Sequence, residues 1–176
     1  MFKKIVALLF CGVLILSTAA CADESLSGTD NSTVPVTTSA PVAKIDTVVI
    51  NGQELSLFSQ VTDDLITTLG NPADTQKAPS CHYDGEDTIY TYDSFVLYTY
   101  AQDESEILYL IEIKDNSIIT SEDISIGSSY DDVIAAYGTP DDESVLFAKY
   151  IVSDTTAIRF KLDESRNVIG IEYSEI

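Results

Sequence analysis

The chain has 176 residues, 9 of them basic and 29 acidic, for a formal net charge of −20 at pH 7. A surface of that sign repels nucleic-acid phosphates and anionic lipid headgroups, which excludes nucleic-acid binding and a polybasic membrane patch. With three cysteines and one histidine there is little material for a disulfide framework or a metal centre, and no cofactor motif is present.

The first segment reads as an export signal. Lys3 and Lys4 precede an apolar run from Ile5 to Leu16. That run suits a signal core and falls short of the roughly 20 residues of an untilted membrane span. Ser17-Thr18-Ala19-Ala20 then supplies small residues up to Cys21, whereas Cys11 follows the bulky Phe10. The stretch Leu16 to Cys21 resembles the bacterial lipobox, with Thr18 where leucine is commoner. The resemblance implies a signal peptide over 1–20, cleavage before Cys21, and diacylglyceryl and palmitate groups on that cysteine. Two or three acyl chains anchor a protein stably where one does not. Losing Lys3 and Lys4 leaves seven basic residues against 29 acidic, a charge of −22. The expected location is the cell membrane, facing away from the cytoplasm.

Residues 21–43 are the lipidated cysteine and a Ser/Thr/Asp-rich stretch with no hydrophobic period, which predicts a disordered tether. A flexible chain of that length has an r.m.s. span of roughly 25 Å. The globular part is expected from Lys44, with Thr47 to Ile50 as a strand and Asn51-Gly52 as a turn.

From there the sequence repeats itself. Asp63-Asp64-Leu65-Ile66-Thr67-Thr68-Leu69-Gly70-Asn71-Pro72 matches Asp131-Asp132-Val133-Ile134-Ala135-Ala136-Tyr137-Gly138-Thr139-Pro140. Asp103-Glu104-Ser105, with Leu108, Ile111 and Glu112, matches Asp163-Glu164-Ser165, with Val168, Ile171 and Glu172. Glu54-Leu55-Ser56-Leu57 and Asp123-Ile124-Ser125-Ile126 lead into the two helices. Repeat 1 is read over 44–117 and repeat 2 over 118–176, both within one compact domain. In each, a capping hydroxyl (Thr62; Ser128 or Ser129) opens a short helix with two aspartates at its positive end. Gly70 and Gly138 stop the helices, and Pro72 and Pro140 prevent resumption. Strands follow at about 88–92, 95–101 and 107–114, then at 147–152, 156–162 and 167–174. The fold class is α+β: two tandem α-β-β-β repeats, a largely antiparallel sheet, and short helices on one face.

This helix-plus-three-strand tandem, with Gly127-Ser128-Ser129-Tyr130-Asp131-Asp132-Val133-Ile134-Ala135-Ala136-Tyr137-Gly138-Thr139-Pro140, resembles the β-lactamase-inhibitor-protein-like superfamily over residues 53–176. That group includes small lipoproteins of the SmpA/OmlA type. The resemblance implies a non-enzymatic module that binds other proteins, often through an open sheet face. No residue motif for β-lactamase inhibition or barrel assembly accompanies it. The acidity and the long tether resemble a Gram-positive surface lipoprotein more than a periplasmic one.

Chemistry-bearing residues are few. Matching helices lie 68 positions apart and matching late strands 60, so repeat 1 carries an extra loop over 73–87, with Cys81 and His82. A Cys beside a His invites a small enzyme or redox protein as the alternative function. Adjacent residues rarely form that hydrogen bond, though, and no second His is present to act as base. One Cys and one His do not supply the four ligands usual for zinc, and no acidic group follows calcium-loop spacing. No catalytic residue, metal ligand or cofactor is therefore assigned.

The tyrosine-rich strands give the candidate binding face. Ile158 and Phe160 alternate with Arg159 and Lys161, so the apolar pair should face inward. Carried back sixty positions, this puts Tyr98 and Tyr100 inward and Tyr90, Tyr92, Phe95 and Leu97 on the open face, with Leu108 and Leu110. An exposed patch of that kind marks a surface for a protein or extracellular ligand, with Tyr favoured as an anchor.

Overall fold

The structure, a computed structural model, describes residues 46–176. The expected signal segment, Cys21 and the tether lie outside the described residues. Strands β1 (Thr47–Ile50) and β2 (Gln53–Ser56) form a hairpin around Asn51 and Gly52, at φ 51° and 77°. Positive φ at both central residues is the turn that matches the twist of a two-residue hairpin, and Asn-Gly tolerates it best. Val48, Ile50 and Leu55 seat this hairpin in the core.

Strand β3 (Gln60–Val61) leads into helix α1 (Asp63–Leu69). The Thr62 hydroxyl accepts the Leu65 N–H at 3.2 Å, and Asp63 and Asp64 occupy the first turn. Then come β4 (Asp74–Pro79), β5 (Glu86–Thr91), β6 (Phe95–Gln102) and β7 (Ser105–Ile113). Helix α2 (Tyr130–Tyr137) starts with a reciprocal cap: Ser129 Oγ accepts the Asp132 N–H while Asp132 Oδ2 accepts the Ser129 N–H. Gly70 and Gly138 end the helices at φ 101° and 78°, where a side chain would strain the backbone. Strands β8 (Asp142–Ser144), β9 (Phe147–Ile151), β10 (Thr156–Leu162) and β11 (Val168–Glu175) complete the chain.

The fold is mixed α+β and mostly antiparallel sheet. Eight strands run in the order β4-β5-β6-β7-β11-β10-β9-β8, and β3 adds to the free stretch of β7 to make nine. The two meanders join where β7 pairs β11, Leu110 to Ile113 opposite Ser174 to Ile171. Every strand expected from the sequence is present, within a residue or two at each end. Strand β4 is the main addition, inside the stretch read as a loop. Its six residues, Asp-Thr-Gln-Lys-Ala-Pro, are all exposed, so no apolar alternation marked it.

Two cross-strand rows make the packed face. One is Phe95, Ile113, Ile171, Phe160 and Ala148; the other is Tyr90, Leu97, Ile111, Tyr173, Ile158 and Tyr150. All but Tyr90 are at most 2% exposed, and each large apolar side chain so withdrawn contributes roughly 1.5–3 kcal/mol. Tyr137 of α2 packs on Tyr150 and Phe160, at 5.3 and 5.0 Å between ring centroids. Leu69 of α1 joins the same core cluster.

This register corrects the candidate face. Tyr90, Tyr92, Phe95, Leu97 and Leu108 belong to the packed side; Tyr92 and Phe95 stack on each other there, and Leu97 and Leu108 are 0% exposed. Only Leu110 of the six lies on the open side, beside Tyr98 and Tyr100. The cause is hairpin length. Strands β6 and β7 close at Gln102 opposite Ser105, whereas β10 and β11 end at Leu162 opposite Val168, leaving 163–167 in the loop. Both hairpins carry a register shift, at Tyr98/Thr99 and at Lys161/Leu162. These sites are 63 positions apart, not the 60 that separates the turns. An odd difference of three turns every side chain of β6 to the other face.

Candidate functional site

The open side of β5, β6 and β7 carries an aromatic cluster. Tyr98 and Tyr100 project from β6, paired with Leu110 and Ile107 of β7. Because Tyr98 faces Leu110 and Thr99 faces Leu108, Tyr109 is the unpaired residue of a β-bulge. Its ring reaches the same cluster, 6.3 Å from Tyr98 and 6.1 Å from Tyr100.

The 80–85 loop closes over this group. Ser80 N–H donates to the Gly85 carbonyl, and Ser80 Oγ accepts the N–H groups of His82 and Tyr83. The tight turn lays the Tyr83 ring on Tyr100, centroids 3.7 Å apart and planes 13° apart, and sets its edge 5.6 Å from Tyr109. His82 meets Tyr83 edge-on at 4.7 Å. The tyrosines at 83, 98, 100 and 109 are all half-buried. A recess of about 250 Å³ opens beside them, lined by His82, Tyr109, Leu110, Ser174, Glu175 and Ile176.

Two carboxylates border the rings. Tyr83 Oη donates to Glu175 Oε2, and His82 Nε2 stands 3.6 Å from the same oxygen. Tyr109 Oη makes a long 3.5 Å contact with Asp87 Oδ2. The other Asp87 oxygen, Oδ1, is buried with no hydrogen-bond partner. Burial, followed by the nearby Asp87 charge, pushes the Tyr109 phenol up to about 12. Burial, then the bond to Glu175, also raises Tyr83. These phenols are neutral donors at physiological pH.

Farther along the same face the charges are matched. Lys161 Nζ lies 2.9 Å from Glu112 and 3.4 Å from Glu172, and Arg159 lies 3.8 Å from Glu172 while covering Phe147 at 5.4 Å. The face therefore divides into an aromatic half bordered by Asp87 and Glu175 and a half of paired cations and carboxylates.

A second polar cluster sits at the end of the packed side. Glu106 accepts hydrogen bonds from Tyr90 Oη at 2.6 Å, Thr88 Oγ1 at 3.1 Å, Thr99 Oγ1 at 3.2 Å and Lys77 Nζ at 3.3 Å. Desolvation alone would raise its pKa, but the Tyr90, Thr88 and Lys77 donors outweigh it and hold the carboxyl below its ordinary range. A carboxylate so fully engaged ties β4, β5 and β6 to β7 and has little capacity left for a ligand. A recess of about 370 Å³ lies alongside, lined by residues that include Gln60, Asp63, Tyr90 and Glu106.

Cys81 is exposed, with no hydrogen bond or ion pair to a described residue, and His82 turns to Glu175 instead. The pair therefore lacks the nucleophile–base contact that the enzyme or redox alternative needs. Among the described residues, no group of three or more His, Cys, Asp and Glu is placed to hold a metal. No described helix is long and apolar enough to cross a membrane.

Sequence reasoning missed Tyr83, Tyr109, Asp87 and Glu175. One signal was available: Glu112 stands in β7 where Glu172 stands in β11, and charges at those positions mark the solvent side. From Glu112, alternation across the hairpin puts Val96, Tyr98 and Tyr100 outward. Comparison with protein-family models, curated proteins and solved structures finds no match for the chain.

Proposed function

We propose that this chain is a membrane-anchored extracytoplasmic lipoprotein, held by lipid at Cys21, that binds a protein or extracellular ligand rather than catalysing a reaction. The observation that carries the reading is the half-buried cluster of Tyr83, Tyr98, Tyr100 and Tyr109 on the sheet face opposite the helices. Tyrosine presents a large rigid surface with a polar tip at low conformational cost, which suits an adaptable binding patch.

The module is a tandem duplication of helix and three-stranded meander, akin to the β-lactamase-inhibitor-protein-like group. Two correspondences support this: the capped helices with paired aspartates, and the register shifts at Tyr98/Thr99 and Lys161/Leu162. The Ser/Thr-rich segment before Lys44 spaces the module from a Gram-positive-type surface.

Two experiments test these claims. A photo-crosslinker placed at Tyr98 or Tyr109 should capture a partner in intact cells far more often than one at exposed Glu54 on β2. Equal capture at the three positions removes the binding face. Separately, Cys21→Ser should lose acyl labelling and leave the membrane fraction while the domain stays folded. Unchanged membrane retention removes the anchor.

A further inference from the structure

The open face is asymmetric in charge. Glu112 and Glu172 are neutralised by Lys161 and Arg159. Asp87 and Glu175, beside the tyrosines, have no Lys or Arg within ion-pair distance among the described residues. Glu175 has His82 as its basic neighbour, and that imidazole is largely exposed. Asp87 has the long Tyr109 contact and its other oxygen is buried, so Glu175 is the carboxylate that borders the recess. A carboxylate beside an aromatic ring, bonded to the neutral Tyr83 phenol and with no Lys or Arg against it, is the electrostatic complement of a cation. Aromatic faces carry negative quadrupole density and attract the same species. The chain's formal charge of −20 adds long-range attraction of the same sign.

We infer that the tyrosine half of this face takes cationic side chains, the Arg or Lys residues of a partner polypeptide. The guanidinium or ammonium group would enter the recess beside Tyr109 and meet Glu175, with its aliphatic stem on Leu110. Arginine suits the site better, since its planar group can stack on a ring and bond a carboxylate together. The inference rests on the proposed binding role and names the partner's chemistry.

The test uses the full chain and a capped peptide of alternating Gly and Arg, with a Gly–citrulline peptide as its uncharged isostere. The protein has ten Tyr and no Trp, so tyrosine emission reports binding directly. At about 0.15 M salt, where surface charges are screened beyond ~8 Å, the Arg peptide should quench and the citrulline peptide should not. Glu175→Gln and Tyr109→Leu should each weaken binding roughly tenfold, about the value of one desolvated cation contact. Glu54→Gln removes one charge from the hairpin on the packed side and should leave affinity unchanged. Circular dichroism checks that each variant is folded.

Equal weakening by Glu54→Gln and Glu175→Gln would reduce the interaction to diffuse attraction and overturn the inference. Equal binding of the citrulline peptide, or tighter binding of an uncharged chito-oligosaccharide sensitive to Tyr109→Leu, would overturn the cationic class but keep the face as a binding surface. If no probe binds and crosslinking at Tyr98 and Tyr109 also fails, both readings fall together.

Discussion

Tyr83 and Tyr100 lie nearly flat on one another, ring centroids 3.7 Å apart, although one belongs to a loop and the other to a central strand. Stacking of that kind contributes about 0.5–1.5 kcal/mol beyond burial, and the bond from Tyr83 to Glu175 adds to it. The contact fixes the 80–85 loop against the sheet. Tyr83→Ala should lower stability by about 1–2 kcal/mol and make the loop markedly more sensitive to limited proteolysis. Tyr83→Phe keeps the stacked ring and should keep the loop protected. Rapid cleavage of the Phe variant would show that the hydroxyl, not the ring, holds the loop.

The corrected face assignment has a direct thermodynamic consequence. Leu97→Ala truncates a fully buried residue and should cost about 2–5 kcal/mol in urea unfolding. Leu110→Ala, on the half-exposed open side, should cost less than about 1.5 kcal/mol. Comparable losses in the two variants would contradict the register.

Glu106 should make the fold sensitive to acid. Its folded-state pKa is lowered, so it contributes stability that is present above its unfolded pKa and is lost as pH falls through the folded value. The native chain should therefore lose stability on acidification more steeply than Glu106→Gln. At neutral pH, Glu106→Ala strands the donors of Tyr90 and Thr88 and should cost about 1–3 kcal/mol. Parallel pH profiles of melting temperature would reject this role.

Tyrosine ionisation sets the alkaline limit. Burial pushes Tyr137 up to about 12, and burial with the Asp87 charge does the same for Tyr109. A raised folded-state pKa contributes stability that is full below the unfolded value near 10 and is lost as pH rises through about 12. Ultraviolet titration of the native chain should show a late phenolate fraction that titrates normally in urea. A single transition near 10 in the native chain would show that these phenols are not withdrawn from water.

The sequence makes the helices legible because their signals are local. Thr62 and Ser129 sit where capping needs them, aspartates follow, and Gly70 and Gly138 close the helices. The strand positions are legible from β-branched and aromatic runs. Facing is not. Ile107 to Ile111 is a continuous apolar run, Ile-Leu-Tyr-Leu-Ile, in which period two has no contrast to read. A bulge inside it cannot be seen, and Tyr109 is the bulge residue. The candidate site is harder still, because Tyr83 meets Glu175 across 92 residues of chain. No local pattern encodes that contact.

Strand β4 has a consequence for molecules crowded on a surface. Held by the proposed lipid anchor, the chain would meet copies of itself far more often than in free solution, and an unpaired outermost strand invites a neighbour to continue the sheet. Here one border presents Lys77, Asp74 and a terminal Pro79, and the other presents β8, only three residues long. Charge, a missing N–H and shortness each discourage such lateral growth. The same polar run that hid β4 from pattern reading would let many copies stand side by side without fusing into a common sheet.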